Sequence, residues 1–159
     1  LKKCVHKIIL ATEDIQKKYN IKYLFIGGIE NDFKNKFGTL IRKYQSSIIL
    51  ISGINNSQIA PFYQMADIGC WPSESSMSAI DALATGLPII VSGMLTDRLK
   101  YENGFGIKDG NDSELKKCLT ELITNTKLRL EMGNRGRKLA VDELNWKSVS
   151  QKFIDIVYE

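Results

Sequence analysis

Short apolar segments that end at glycine or proline constrain the fold of this chain more than any other sequence feature. Four of them have the length of buried strands: IKYLFIGG (residues 21–28), IILISG (48–53), DIGCWPS (67–73) and LPIIVSG (87–93). Strands that are apolar on both faces are typical of a parallel sheet covered by helices on its two sides. NGFGI (103–107) predicts one more short strand between turns.

Amphipathic segments separate these strands. Residues 5–19 have apolar positions at helical spacing and predict a helix. Residues 31–44 predict a second amphipathic helix, with Asn31 or Asp32 as its N-cap. Residues 55–66 predict a short helix with Pro61 in its first turn, and residues 75–86 predict a helix that ends at Gly86.

The last third of the chain is predicted to be helical. Ser113 is the expected N-cap of its first helix, and the helices that follow from Lys127 are expected to break near residues 133–136 and at Asn145. The alternation of strands and helices therefore predicts an α/β fold with a doubly wound, Rossmann-like parallel sheet, in one domain over residues 1–159.

Composition limits the classes of protein to consider. The chain has 159 residues, of which 43% are hydrophobic and 25% charged, and it contains no apolar run of membrane-spanning length. Its first residues carry charges throughout, so we do not expect them to be a signal peptide. Three widely spaced cysteines fit neither a zinc site nor a disulfide framework, so we expect no metal and a reducing, cytoplasmic location. The net charge of +4 is compatible with peripheral contact at the inner face of an anionic membrane, but a basic, aromatic stripe for nucleic acid is absent. The start at Leu1 suggests a segment of a longer protein.

The carboxyl ends of the strands are the expected binding edge, because doubly wound sheets bind ligands there. The loop after residue 73 is the most informative of four such loops, the others following Gly28, Gly53 and Gly93. Its serines lie at a helix start, where free backbone N–H groups favour an anion, and Asp81 follows on the same helix, where a carboxylate can accept hydrogen bonds from ribose hydroxyls. Spacing alone also allows a structural interpretation, in which the serines only cap the helix and Asp81 faces water.

The same stretch resembles a known family. PSESSMSAIDALATGLPIIVSG (72–93) is similar to the donor-binding signature of retaining glycosyltransferases with the GT-B fold, of the family-4 type. That signature has a Pro-Ser turn, two glutamates and Ala-x-Ala-x-Gly-x-Pro, and ALATGLP matches its end. Residues 51–73, 102–119 and 145–153 resemble the flanking family segments, so the resemblance covers nearly the whole chain.

The resemblance implies roles for individual residues. Asp81 falls where the ribose-binding glutamate belongs, and Glu74, seven positions earlier rather than eight, is the candidate for contacting the sugar. The family's Gly-x-Gly backbone is replaced by a run whose N–H groups would hold the donor phosphates: Ser75, Ser76, Met77 and Ser78. Lys3 takes the place of the lysine that neutralises the diphosphate, and Gly53 and Ile54 take the place of the loop that meets the nucleobase.

The function that this resemblance implies is the binding of a UDP- or GDP-sugar and transfer of its glycosyl group to a polysaccharide or lipid-linked acceptor. The chain would be the C-terminal half of a GT-B enzyme that needs no cofactor or essential metal. It would lack its first strand and the N-terminal acceptor domain, and would be inactive in isolation. Two alternatives stay open: a sugar-nucleotide 2-epimerase of the same fold, and a non-catalytic flavodoxin-like module such as a signalling receiver. A receiver is disfavoured, because it would need an acidic cluster at strand ends that here carry glycine.

Several other polar residues have no clear role in the sequence. His6 is interpreted as a packed or surface residue rather than a catalyst. Arg98, Lys100 and Glu102 lie in an irregular segment that would border the sugar, and nothing in the sequence selects among them.

Overall fold

A computed structural model describes residues 3–28, 31–73, 77–93 and 98–158. Within these ranges the chain alternates between helices and short strands, as the sequence predicts. The strands are β1 (Tyr23–Ile26), β2 (Ile48–Ile51), β3 (Gly69–Trp71), β4 (Ile89–Ser92) and β5 (Gly104–Ile107). The α-helices are α1 (His6–Ala11), α2 (Asn31–Lys43), α3 (Ala60–Gln64), α4 (Ser78–Ala84), α5 (Asp112–Thr124), α6 (Thr126–Asp142) and α7 (Trp146–Tyr158), and a 3₁₀ turn (Asn56–Gln58) precedes α3.

All strand pairs are parallel, which confirms the predicted class of sheet. The register pairs Tyr23 with Ile48 in β1–β2, and Ile89 with both Gly69 and Gly104 in β3–β4–β5. Among the described residues the strands form two hydrogen-bonded sheets, of two and three strands, where the sequence predicted one. No described strand joins the two sheets by hydrogen bonds.

Helices cover both faces of the three-stranded sheet. Leu83 of α4 and Leu139 of α6 pack with Ile89 and Val91 on one face. On the other face, Ile90 packs in a cluster to which α1 and α5 contribute the apolar residues Ala11, Leu115, Leu119 and Leu122. Strand β4 is buried along its whole length, which is why its sequence is uniformly apolar up to Ser92.

Helix α1 connects the two sheets. Ala11 belongs to the cluster of the three-stranded sheet, whereas Ile9 packs with Tyr23 and Tyr44 beside β1 and β2. The helix is shorter than the predicted 5–19, because the chain continues in turns from Thr12. The Thr12 hydroxyl shares a 2.7 Å hydrogen bond with the Tyr23 hydroxyl and donates to the Ile8 carbonyl at 2.9 Å.

Two helix boundaries correct the sequence analysis. The predicted N-cap Ser113 is wrong: Asn111 caps α5, and its side chain accepts a 3.0 Å hydrogen bond from the Glu114 N–H. Helix α6 does not break at its glycines, because Gly133 and Gly136 are the buried positions that let it approach α4 and the turn after it. The predicted break at Asn145 is confirmed, since its side chain caps α7 by accepting from the Ser148 N–H.

None of the helices in the described ranges is long and apolar enough to cross a membrane.

Candidate functional site

Two ion pairs fix which ends of the strands lie together. Lys7 near the start of α1 pairs with Asp112 at the start of α5, at 2.6 Å, and Asp14 just beyond α1 pairs with Lys116 further along α5, at 2.8 Å. The two helices therefore run side by side in the same direction. Because β5 leads into α5 and the end of α1 leads back into β1, the carboxyl ends of both sheets lie at one edge. This is the edge at which parallel sheets bind ligands.

The loop after β3 carries the predicted donor-binding run. Pro72 ends the strand in a buried position, and α4 begins at Ser78 after Met77, whose side chain is 68% exposed. Three candidates, Glu74, Ser75 and Ser76, lie outside the described residues. The described part of the run therefore presents Met77 and Ser78 at this edge of the sheet.

The hydroxyl of Ser78 belongs to a local hydrogen-bond network. It accepts a 3.0 Å hydrogen bond from Trp71 Nε1 and also hydrogen-bonds the Tyr63 hydroxyl. Burial raises the pKa of Tyr63, the negative charge of nearby Asp81 raises it further, and the bond to Ser78 opposes both. Tyr63 and Trp71 are thus polar neighbours of the candidate site that the sequence did not single out as functional.

Asp81 lies one turn after Ser78, partly buried, on the side of α4 that meets Tyr63 of α3. Residues three apart share a helix face. Ser78 and Asp81 therefore present a hydroxyl and a carboxylate to the same region. A carboxylate accepts several hydrogen bonds, so this pair has the chemistry to bind a vicinal diol.

Two buried polar side chains lie at the end of β4 and in the segment that follows it. Ser92 is fully buried, and its Oγ makes no hydrogen bond among the described residues. Arg98, which follows the undescribed residues 94–97, is only 8% exposed, and its guanidinium Nη2 lies 3.8 Å from Met77 Sδ. A buried cation is thus held at the start of α4.

The two charged neighbours of Arg98 contact α6 and the residue that follows it. Lys100 Nζ pairs with Glu143 at 2.6 Å, and the Tyr101 hydroxyl donates to the same carboxylate at 2.7 Å. Lys100 and then Tyr101 lower the pKa of Glu143 to about 2. Glu102 adopts a positive φ of 52°, and its carbonyl accepts a hydrogen bond from Arg135.

The remaining candidates also lie at the carboxyl edge. Gly53 follows β2 next to open space, with Ile54 partly buried beside it. Lys3 is exposed just before α1. These positions are compatible with the roles expected of them, which stay predictions.

The histidine and two of the cysteines have packing contacts with other parts of the fold. His6 stacks on Phe37 with ring centroids 4.0 Å apart, and burial raises the pKa of the Cys70 and Cys118 thiols. No group of three or more His, Cys, Asp or Glu residues in the described ranges is arranged to hold a metal ion.

A cavity of about 300 Å³ lies at the opposite edge of the sheets, where the strands begin. It is lined by residues such as Glu13, Lys43 and Ser47, and none of the candidate site residues is part of it.

Comparison with known proteins identifies the family. A family model described as glycosyl transferases group 1 matches residues 1–139. An uncharacterized glycosyltransferase of Haemophilus influenzae is 30% identical over 138 residues, which are 80% of this chain and 38% of that protein. The capsular polysaccharide biosynthesis glycosyltransferase CapM of Staphylococcus aureus is 26% identical over 144 residues, 86% of this chain and 37% of CapM.

The fold agrees with this match. The solved structure of Anabaena HepE in complex with UDP superposes with a TM-score of 0.82 at 14% identity, covering 99% of this chain and 45% of that one. The predicted architecture, the C-terminal half of a GT-B fold, is therefore confirmed. The chain spans less than half the length of these relatives. It belongs to the group 1 glycosyltransferases.

Proposed function

We propose that this chain binds the donor of a glycosyltransferase, a nucleotide-diphosphate sugar, whose glycosyl group passes to a polysaccharide or lipid-linked acceptor. The observation that carries the proposal is the start of α4, where Met77, Ser78 and partly buried Asp81 follow β3 at the carboxyl edge of the sheet. Within the family this is the segment whose signature binds the donor.

The nucleotide would lie across this edge. The backbone N–H groups of residues 75–78 bind the diphosphate, Asp81 accepts hydrogen bonds from the ribose hydroxyls, and Gly53 with Ile54 contacts the base. Lys3 neutralises the diphosphate as it leaves, and Glu74 contacts the sugar. Stabilisation of the leaving group by fixed donors and cations supplies the catalysis, with no cofactor.

The identity of the nucleotide base is also a proposal, supported by the relatives. HepE was solved with UDP, which supports a UDP-sugar as the first donor to test, and a GDP-sugar is the second. CapM acts in capsular polysaccharide biosynthesis by its name, which supports a saccharide acceptor and a role in surface polysaccharide synthesis. A role in lipopolysaccharide synthesis is a further proposal.

We propose that the acceptor domain belongs to the same polypeptide and packs on α7. None of the residues of this helix is buried. Five of its apolar residues recur at helical spacing along one face and are between 43% and 84% exposed: Trp146, Val149, Phe153, Ile156 and Val157. A helix of 13 residues is only marginally stable without tertiary contacts, so a protein partner is expected on this stripe.

The free edges of the two sheets support a further strand outside this sequence. The N–H groups of Tyr23 and Gly27 donate to β2 and to the residue before it, so the backbone groups of Leu24 and Ile26 point to the other edge of β1. We propose a parallel strand between β1 and β3 that would pair them, because backbone groups inside a sheet are almost always paired. Such a strand, followed by α1, would complete one doubly wound sheet.

The site of action is proposed to be the cytoplasm. Peripheral contact with the inner face of the membrane stays a prediction from the net charge of +4. The charged residues of α7 are Lys147, Lys152 and Asp155, a smaller basic surplus than is typical of helices that lie on anionic membranes. Co-sedimentation of the full-length protein with anionic vesicles tests this contact.

A thermal-shift panel of UDP, GDP, ADP and their sugars on the full-length protein tests the donor proposal. A ligand at one hundred times its dissociation constant should stabilise the folded state by about 2.7 kcal/mol. Product analysis with the stabilising nucleotide sugar then separates transfer to an acceptor from epimerisation. A full-length protein that none of these ligands stabilises would contradict the proposal.

A further inference from the structure

Arg98 is distinguished from nearby Lys100 by the direction of its side chain. Lys100 pairs with Glu143, the residue that follows α6. The guanidinium of Arg98 instead reaches the start of α4, where its Nη2 lies 3.8 Å from Met77 Sδ.

The backbone around Arg98 is fixed. Its carbonyl accepts a 2.8 Å hydrogen bond from the Nδ2 of Asn103, a residue with no exposed surface. The Asn103 Oδ1 in turn accepts from the N–H of Tyr101. The segment that bears Arg98 is therefore tied to the start of β5, which restricts where its guanidinium can lie.

The chemistry of the side chain suits a phosphate ligand. A guanidinium keeps its charge and carries five N–H donors in a planar fork, so it can keep protein contacts and bind phosphate oxygens at the same time. With only 8% of Arg98 exposed, its charge is screened less by solvent than that of a surface lysine.

We propose that Arg98 is a donor-binding residue, whose guanidinium binds the diphosphate of a nucleotide sugar held in front of Met77 and Ser78. This inference rests on the proposed function and adds to it a cation that is supplied by the segment before β5. It predicts a contribution to the binding of the diphosphate but not of the nucleoside.

The experiment compares the full-length wild-type protein with Arg98→Met, Arg98→Lys and Arg137→Met. Calorimetry measures the affinities for UDP and GDP, and for uridine and guanosine. Arg98→Met should weaken binding of the preferred nucleoside diphosphate at least about tenfold and leave the nucleoside unchanged. Arg98→Lys, which keeps the charge but loses the fork, should fall between. Arg137 is the matched control, because its guanidinium donates to the Ala84 carbonyl at the other end of α4, at 2.6 Å.

The possible results separate the two levels of the argument. Wild-type affinity of Arg98→Met for the diphosphate overturns the role of Arg98 alone. Equal losses of diphosphate and nucleoside binding also overturn it, since they indicate a purely structural residue. If Arg98→Met does not fold, the comparison of Arg98→Lys with Arg137→Met decides by the same ratio of diphosphate to nucleoside affinity. A wild-type protein that binds no nucleoside diphosphate overturns the proposed function, and this inference with it.

Discussion

The packing of α6 on α4 makes the sharpest stability prediction, because two helical glycines carry it. A Cβ added at Gly133 would lie 2.1 Å from the carbonyl oxygen of Gly86, which is backbone and cannot rotate away. A Cβ at Gly136 would lie 2.7 Å from Leu83 Cδ2, the end of a side chain that can move. Gly38 in α2 is the matched control, since its Cβ would meet only Arg42 Nη1 at 3.6 Å.

The expected magnitudes follow from these distances. Overpacking costs about 1–3 kcal/mol, and alanine gains up to about 1 kcal/mol over glycine within a helix. Gly133→Ala makes the closest contact, so its overpacking cost lies at the upper end of this range. After the gain from alanine is subtracted, the fold should be destabilised by about 2 kcal/mol. Gly136→Ala should destabilise it less, and Gly38→Ala should stabilise it by about 0.5–1 kcal/mol.

Scanning calorimetry of the full-length protein measures these differences. At about 2–4 °C per kcal/mol for a domain of this size, Gly133→Ala lowers the melting temperature by about 4–8 °C and Gly38→Ala raises it by a few degrees. A Gly133→Ala variant as stable as Gly38→Ala would refute the close approach of α6 to the turn after α4.

The remaining predictions concern a cap, a buried hydroxyl and a carboxylate. Asn111→Ala should cost about 1 kcal/mol of stability by calorimetry, whereas Ser113→Ala should have almost no effect; the reverse order would restore Ser113 as the cap. Ser92→Ala should leave the stability unchanged or raise it, because its hydroxyl has no hydrogen bond to lose among the described residues, and a marked loss would show that it has a partner. Glu143 has a folded pKa of about 2, below its unfolded value, so its pairing with Lys100 stabilises the fold above about pH 4.5 and is lost as the pH falls towards 2. The difference in melting temperature between wild type and Glu143→Gln should shrink over this range, and a difference that stays constant to pH 2.5 would contradict the assignment.

Much of the fold could be predicted because its strands and turns have local signals. The apolar runs predict the positions of the strands. Gly86, which has a φ of +83°, marks the turn at which α4 was predicted to end. Pro61 in the first turn of α3 was likewise predictable from its missing N–H.

Tertiary contacts account for the elements that were predicted wrongly. Glycine is a weak helix former in isolation, so Gly133 and Gly136 predict a break. Their buried contacts with α4 and its C-terminal turn instead require residues without a side chain. Sequence spacing cannot distinguish Asn111 from Ser113 as a cap, since both residue types favour the N-cap and both lie shortly before the first apolar position of the helix. The division into two sheets could not be predicted from the sequence either, because hydrophobic patterns do not indicate which strands pair.

The candidate site was only partly accessible to sequence reasoning. The order of strands and helices predicted the edge and the loop after β3. The network of Tyr63, Trp71 and Ser78, and the direction of the Arg98 side chain, depend on contacts between elements distant in the sequence. The receiver interpretation is removed by membership of the group 1 glycosyltransferases.

The most direct test of the donor site is the affinity of the full-length Asp81→Ala variant for UDP and GDP, measured by calorimetry. Asp67→Ala is the matched control, because that carboxylate is exposed before β3, at the opposite edge of the sheet. Loss of two charge-assisted hydrogen bonds to the ribose predicts at least tenfold weaker binding for Asp81→Ala and no change for Asp67→Ala. Unchanged affinity of the Asp81→Ala variant would contradict the assignment of this carboxylate to the ribose and, with it, the donor site in front of α4.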